Sequence, residues 1–156
     1  MPIVFARVDD RLIHGQVVQA WLPELNIDEV LISCPKGKAG TLNEGLLRLS
    51  LPYEYELSIL DAPAAVRHAA ASKRRIFLLL SSLDAFTDLV KEGLQIKSVN
   101  IGGMHFKENA QKIAEHVFLD AQDKRHLKLI RDLGISIETR AVPNGVSISV
   151  REVLPQ

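Results

Sequence analysis

The chain has 156 residues, of which 47% are hydrophobic and 24% charged, as in an ordinary globular protein with a substantial core. Nineteen basic and nineteen acidic residues give a formal net charge of zero, which argues against nucleic-acid binding through bulk positive charge. The single cysteine, Cys34, excludes an internal disulfide and a cysteine-based metal site, and we interpret it as a small buried hydrophobe.

No basic-then-apolar leader opens the chain, and no apolar run approaches the roughly 20 residues needed to span a bilayer. We therefore expect a cytoplasmic protein whose contact with any membrane is made through a partner. Internal repeats, low-complexity tracts and linkers are not evident, so residues 1–156 are predicted to form a single domain.

Short apolar runs alternate with helical patterns along the chain. The runs are apolar at consecutive positions, as in parallel strands covered by helices on both faces. This order predicts an α/β fold: a three-layer α/β/α arrangement around an open, mostly parallel sheet of about six to seven strands, with an antiparallel edge. The predicted strands span residues 3–8, 30–34, 55–60, 76–80, 99–101 and 117–119, and two edge strands are predicted at 135–142 and 146–150.

The predicted helices span about 15–21, 42–49, 62–71, a segment near Asp84, and 120–132. Pro23 is expected to end the first helix, and Trp21 to pack in the core or an interface. His68 has no partner visible in the sequence and is interpreted as a surface residue, and His126 is interpreted as part of a solvated face.

Residues 7–17, Arg-Val-Asp-Asp-Arg-Leu-Ile-His-Gly-Gln-Val, are the most informative stretch. An apolar run precedes them and an amphipathic segment follows, which predicts a strand, a loop and the start of a helix. His14 would lie where free backbone N–H groups and the helix dipole favour negative charge. Arg7 and Arg11 offer planar donors suited to phosphate oxygens. These features suggest that His14 carries a phosphoryl group.

Gly15 would allow the backbone to approach that group closely. The N–H groups near Gly15 and Gln16 are further candidates for phosphate contacts, and Asp9 or Asp10 could orient an arginine or the imidazole. The alternative is a structural network in which Asp9 or Asp10 pairs with Arg11 and His14 is incidental.

Two other segments follow predicted strands. Paired glycines, Gly102 and Gly103, suit close backbone approach or a tight turn, and His105 follows them. Ser81 and Ser82 could face the same crevice as His14, because ligands of open parallel sheets bind outside the carboxyl ends of strands. The alternative for this serine pair is simple helix capping.

The string at residues 9–17, Asp-Asp-Arg-Leu-Ile-His-Gly-Gln-Val, resembles the active-site signature of the IIB components of the mannose/fructose/sorbose family of the bacterial sugar phosphotransferase system. The likeness extends through residues 100–104, Asn-Ile-Gly-Gly-Met, and through the order of strands and helices. Gly102 belongs to this second segment, which flanks the active-site loop in that family. Nine consecutive matching residues make the signature specific.

The resemblance implies a protein-histidine-phosphate:sugar phosphotransferase. His14 would accept a phosphoryl group from a IIA protein and pass it to a sugar taken up by a IIC/IID membrane permease, with which the protein would be peripherally associated. A homodimer is plausible from the resemblance. Relatives suggest that the imidazole Nδ1 is phosphorylated. No metal, Mg²⁺ or nucleotide cofactor is implied.

The segment 34–41 departs from the acidic segment that relatives usually carry after this strand. It is basic and glycine-containing but lacks the Gly-Lys-Ser/Thr ending of a P-loop, so a solvated turn is the favoured interpretation. Its divergence is the reason to keep an alternative, a regulatory phosphocarrier that signals rather than transports sugar. A Rossmann-like nucleotide-binding protein is disfavoured, because no G-x-G-x-x-G follows the first strand.

Overall fold

The computed structural model describes residues 2–35, 40, 42–148, 150 and 154. Within this part of the chain, a six-stranded sheet is flanked by helices, and a two-stranded hairpin lies beside it. The strands are β1 Ile3–Asp9, β2 Glu29–Cys34, β3 Glu56–Asp61, β4 Ile76–Leu80, β5 Ser98–Gly103, β6 Gln111–Ala114, β7 Val117–Leu119 and β8 Ser136–Glu138. The α-helices are α1 Leu22–Leu25, α2 Glu44–Ser50, α3 Ala62–Ala71, α4 Leu83–Lys91 and α5 Ala121–Asp132.

The six strands of the large sheet follow the order β3-β2-β4-β1-β5-β8, and all described pairings in it are parallel. Strands β6 and β7 form the antiparallel hairpin. The predicted class, a mostly parallel α/β sheet between helical layers, is confirmed. Because β1 lies between β4 and β5, its carboxyl end faces the ends of both neighbours.

The predicted tail of two edge strands, at least one of them antiparallel, is wrong in its details. Among the described residues of this tail, β8 is the one strand that forms, and it pairs in parallel with β5. Antiparallel pairing occurs instead in the β6–β7 hairpin. Residues 146–148 are not in a strand. Ile148 instead binds the Thr139 hydroxyl, which donates to the Ile148 carbonyl (2.7 Å) and accepts from the Ile148 N–H (2.9 Å).

Two apolar cores lie on the two faces of the sheet. On one face, residues of α3, α4 and α5 pack on Ala6, Val8 and neighbouring strand residues. On the other face, Val17 and Leu22 pack with Ile32 and other strand residues, and α2 contributes at the margin.

Cys34 is buried, as expected, and burial and the Asp61 charge raise the pKa of its thiol.

The first helix differs from the prediction. A π-helical turn, Val17–Trp21, leads directly into α1, which ends at Asn26 in the left-handed conformation (φ 47°). Pro23 does not end the helix; it lies inside a helical segment that runs continuously over residues 15–25, directly after the π-helical turn. A π-helical turn changes the hydrogen-bonding pattern of a helix, here next to the position where proline has no N–H to donate. Trp21 is buried, as predicted, and its ring stacks on Phe5 at 4.5 Å between centroids.

Capping side chains begin the three longer helices, α3, α4 and α5. Asp61, Ser82 and Asp120 accept hydrogen bonds from the backbone N–H groups of Ala64, Ala85 and Asp123, respectively. Ser82 is therefore a helix cap. Among the residues that the structure describes, no helix has the length and apolar character to cross a bilayer.

His68 and His126 are partly exposed, and each has a carboxylate partner that the sequence does not reveal. His68 Nε2 lies 2.7 Å from Glu29 Oε1, and His126 Nε2 lies 2.5 Å from Asp84 Oδ1. Both carboxylates come from elements distant in sequence, so a local pattern could not reveal them.

Candidate functional site

The candidate site is the loop between β1 and the π-helical turn, at the carboxyl edge of the sheet. Leu12 in this loop has a positive φ of 56°, and its N–H donates to the Asp9 carbonyl at 2.9 Å. A left-handed conformation is unfavourable for leucine, and such strain is concentrated at functional loops. The turn reverses the chain and places His14 beside the end of β1.

Asp9 is the centre of the site, and its side chain is fully buried. Its Oδ2 accepts from Arg7 Nη2 at 3.0 Å, Arg11 Nη2 at 3.0 Å and His14 Nε2 at 2.9 Å. Its Oδ1 accepts from Arg11 Nε at 3.0 Å. Burial by itself would raise the pKa of Asp9, but hydrogen bonds from His14 and Arg11 and the charge of Arg7 outweigh it. The pKa of Asp9 is therefore held well below its usual range, and the carboxylate is ionised.

Arg7 lies beneath the site and is also fully buried. Its Nη1 donates to Asn100 Oδ1 (2.7 Å) and to the Arg140 carbonyl (3.1 Å), while Nη2 donates to Asp9 and to Gln16 Oε1 (2.8 Å). Burial lowers the pKa of Arg7, and the Asp9 carboxylate opposes that shift. Both terminal nitrogens thus bind protein acceptors.

The imidazole of His14 is oriented by Asp9, and 18% of its side chain is exposed. Since the Asp9 carboxylate can only accept, the hydrogen bond assigns the proton of a neutral imidazole to Nε2. The lone pair of such an imidazole is then on Nδ1. The chemistry available at this position is nucleophilic attack by Nδ1.

The backbone around His14 begins the helix. The first helical hydrogen bond runs from the Val18 N–H to the His14 carbonyl at 3.0 Å. The N–H groups of Gly15 and Gln16 precede it and have no partner within the helix, which suits an anion. A Cβ added at Gly15 would meet no atom within 4 Å, so the packing of the described residues does not require glycine there.

Arg11 is the arginine that reaches solvent, with 30% of its side chain exposed. Besides its contacts with Asp9, its Nη2 lies 3.3 Å from Gln16 Oε1. The structure therefore brings Arg7, Asp9, Arg11, His14 and Gln16 into one hydrogen-bonded network, in which Arg11 and His14 are the members with charged or nucleophilic atoms near solvent.

Asp10 and Ser81, also predicted to support the site, lie together but outside this network. Asp10 Oδ2 accepts from the backbone N–H of His105 and lies 2.7 Å from His105 Nδ1. Ser81, Asp10 and His105 line a neighbouring cavity of about 320 Å³ with residues of α4 and α5.

The paired glycines are explained by the bulk of the site. A Cβ built on Gly102 would lie 1.8 Å from Arg7 Cζ, and one on Gly103 would lie 2.6 Å from Asp9 Oδ1. Only glycine at these positions leaves room for the buried guanidinium and carboxylate. Gly102 thus leaves room for Arg7 because it has no side chain, in agreement with its interpretation as a position of close backbone approach.

Two further residues of the site have no clear signal in the sequence. Asn100 binds Arg7 and donates Nδ2 to the Arg140 carbonyl at 3.0 Å. The Trp21 indole N–H donates to the Ala141 carbonyl at 2.8 Å, and the guanidinium carbons of Arg7 and Arg140 lie 5.3 and 5.6 Å from the centroid of the indole ring. Asn100 lies in a segment that the sequence singled out, but the carbonyl partners could not be foreseen.

Within the described ranges, three or more histidine, cysteine, aspartate or glutamate side chains do not come together as metal ligands would. The segment 34–41 falls mainly outside the described residues, so its predicted solvated turn is left as a prediction.

Comparison with known proteins agrees with this architecture. The family model "PTS system sorbose subfamily IIB component" matches residues 3–156. The sorbose-specific EIIB component of Lacticaseibacillus casei is 33% identical over 153 residues, which cover 96% of this chain and 93% of that protein. The mannose-specific EIIAB component of Escherichia coli K12 is 29% identical over 99% of this chain, which spans only 49% of that longer protein.

Solved structures show the same fold. The IIBSor domain of the sorbose permease from Klebsiella pneumoniae superimposes with a TM-score of 0.87 at 27% identity, covering 97% of this chain and 95% of the other. An open, mostly parallel α/β sheet is thus the fold of sugar-phosphotransferase IIB domains. The chain belongs to the sorbose subfamily of the IIB components of the phosphotransferase system (PTS).

Proposed function

We propose that the protein is a phosphohistidine carrier that accepts a phosphoryl group on His14 from a IIA protein and passes it to a sugar during uptake through a IIC/IID permease. It would act as a protein-histidine-phosphate:sugar phosphotransferase, in the cytoplasm and associated with the membrane through that permease. The observation that carries this proposal is the hydrogen bond between His14 Nε2 and buried Asp9, which leaves Nδ1 as the nucleophile.

The proposed transfer has two balanced steps. In the first, the Nδ1 lone pair attacks the phosphorus of the donor's phosphohistidine; an N–P bond forms on His14 as the donor's N–P bond breaks. In the second, a sugar hydroxyl attacks the same phosphorus, an O–P bond replaces the N–P bond, and the hydroxyl proton is released to solvent or a base. Positioning and charge stabilisation are the contributions that the protein must make.

The residues of the site have different proposed roles according to whether they are buried or reach solvent. Arg11, with its partly exposed guanidinium, and the N–H groups of Gly15 and Gln16 are proposed to contact the phosphoryl oxygens. Arg7, whose terminal nitrogens bind protein acceptors, is proposed to position Asp9 and Gln16 rather than to touch phosphate. Asp9 holds the imidazole and offsets the positive charge that the ring gains when it is phosphorylated.

The test is transfer of labelled phosphate from phosphoenolpyruvate through the general carrier proteins and a IIA protein. We expect acid-labile, base-stable label on the wild type, none on His14→Ala, and normal labelling of His68→Ala, a histidine variant at the opposite edge of the sheet. Phosphorus NMR should assign the label to Nδ1. An unlabelled wild type beside a phosphorylated IIA would refute the proposal, and onward transfer to sugar in permease-containing vesicles distinguishes transport from a regulatory carrier.

A further inference from the structure

A shallow groove of about 250 Å³ adjoins the His14 loop on the side of Arg11. We call it the aromatic groove; its lining includes Arg11, His105, Phe106, His116 and Phe118. Phe106 and Phe118 meet edge to face, with ring centroids 5.7 Å apart and an interplanar angle of 87°. Phe106 is nevertheless 72% exposed, so most of its side chain is accessible beside the groove.

The polar rim of the aromatic groove is also ordered. Asp10 Oδ2 binds both the backbone N–H and Nδ1 of His105, each at 2.7 Å, so the ring is fixed with Nε2 directed away from Asp10. The Asp10 N–H in turn donates to the Gly103 carbonyl at 3.0 Å. His105, 71% exposed at its side chain, therefore stands beside Arg11 in a defined orientation.

The approach to His14 is limited to one side. Arg7 and Asp9 are fully buried behind the imidazole, whereas Arg11 and His14 retain exposed surface. A protein that delivers a phosphoryl group must bring its own histidine to that surface, and its dianionic phosphoryl group complements the Arg11 guanidinium. A specific interface covers about 800 Å² on each partner, far more than one loop, so it extends over adjoining surface. Buried aromatic anchors dominate the energy of such interfaces.

We propose that the aromatic groove is the docking surface for the phosphohistidine-bearing donor protein, with Phe106 as the apolar anchor and His105 as a polar contact beside Arg11. This inference rests on the proposed function and adds the partner's binding surface to it. The matching surface of the donor should present apolar side chains next to its phosphohistidine.

The test compares two phosphoryl donors on the same variants. Phosphorylated IIA must dock, whereas phosphoramidate is too small to use the groove. For Phe106→Ala we expect the rate of His14 labelling by subsaturating IIA to fall at least tenfold, through a higher KM, with unchanged labelling by phosphoramidate. Phe106→Tyr should restore most of the rate, and His105→Ala should show a smaller loss of the same kind.

Tyr53→Ala is the matched control, because Tyr53 is an aromatic residue that is 94% exposed and precedes β3 at the opposite edge of the sheet. It should behave as the wild type with both donors. An unchanged IIA rate in Phe106→Ala would overturn the inference, and so would an equal loss with both donors, which would indicate a damaged site. If Phe106→Ala lost only sugar uptake, the groove would belong to the contact with the permease. If it lost only self-association, the groove would belong to the contact with a second copy of the chain. Either result would overturn the inference. Absence of labelling in the wild type would instead refute the proposed function itself.

Discussion

Asp9 shows at the scale of one residue how this site is held together. A carboxylate with no exposure binds two arginines and an imidazole, so its desolvation is compensated only while every partner is present. The same carboxylate sets the tautomer of His14. Stability and chemistry at this site therefore depend on one ionised group.

Asp9→Asn should lower the stability at pH 7 by about 3 kcal/mol, the typical cost of removing one partner from a buried ion pair. The pKa of Asp9 is depressed in the folded state, so the carboxylate's contribution is complete above the unfolded pKa of about 4 and is lost as pH falls through the folded pKa. The gap between wild type and variant should narrow below pH ~4. Urea unfolding at several pH values measures this difference in the free energy of unfolding. A difference that does not depend on pH would contradict the conclusion that Asp9 is an ionised, buried carboxylate.

The control for this comparison is Asp132→Asn, which removes a carboxylate from an exposed pair with Lys128. Screening by solvent makes such pairs weak, so the change at pH 7 should be much smaller than that of Asp9→Asn.

Gly102→Ala tests the space beneath the site. The added methyl would lie 1.8 Å from Arg7 Cζ, so the buried guanidinium must move and lose its hydrogen bonds. We expect the free energy of unfolding, measured by chemical denaturation, to fall by about 3 kcal/mol, and His14 to be labelled more slowly by phosphoramidate.

Gly45→Ala in α2 is the matched control. Its methyl would meet only Asn43 Oδ1 at 3.6 Å, and alanine should stabilise the helix by up to about 1 kcal/mol. Equal stability of the two variants would contradict this account.

At the scale of elements, the π-helical turn connects the site to the tail. The wide turn carries Trp21, which stacks on Phe5 of β1 and donates to the Ala141 carbonyl beyond β8. The Arg140 carbonyl accepts from both Arg7 and Asn100. The Arg140 and Ala141 carbonyls of the segment after β8 thus bind the buried side of the site.

Trp21→Phe keeps a ring on Phe5 but removes the indole N–H, leaving the Ala141 carbonyl without that donor. We expect a stability loss of about 1–2 kcal/mol, measured by circular dichroism because Trp21 is the single tryptophan of the chain and its fluorescence disappears. Tyr53→Phe, an equally conservative change on an exposed side chain, should have no measurable effect. Equal stability of the two variants would show that the hydrogen bond to the tail contributes nothing.

At the scale of the whole molecule, the parallel sheet separates two clusters of charge. The His14 network lies at the carboxyl edge of the strands. Glu29, at the amino end of β2, is fully buried and accepts from Ser58 Oγ (2.6 Å) and pairs with His68 (2.7 Å). The carboxyl edge carries the proposed chemistry, and we interpret the Glu29 cluster as part of the structural framework.

Glu29→Gln should separate stability from function. An amide can keep an acceptor oxygen towards Ser58 and His68, but it removes the negative charge that pairs with His68 and Arg74 and places a buried N–H₂ group where Glu29 Oε2 has no hydrogen-bond partner among the described residues. A loss of about 2–4 kcal/mol is therefore expected in urea unfolding. Labelling of His14 by phosphoramidate, measured at a temperature where both proteins are folded, should be unchanged because the cluster lies at the other edge. Slower labelling of the folded variant would reveal a coupling between the edges that this structure does not explain.

The sequence by itself determined the first five strands of the parallel sheet, β7 and the strand–loop–helix setting of His14, and it offered helix capping as one role of the Ser81–Ser82 pair, since each depends on apolar runs or on side chains a few residues apart. It also singled out the paired glycines that make room for Arg7 and Asp9. The prediction at Pro23 failed because it rested on a local rule, that proline ends a helix, whereas the chain continues through Pro23 from the π-helical turn into α1.

Only the tertiary structure decided which groups meet. Arg7 and Asn100 are 93 residues apart, and Glu29 and His68 are 39 residues apart; parallel crossovers bring them together. Asp9 and Asp10 are adjacent in sequence, yet one orients His14 and the other His105, because successive side chains leave a strand end in different directions. Periodicity reports that a residue is buried, whereas its partners follow from strand order and register.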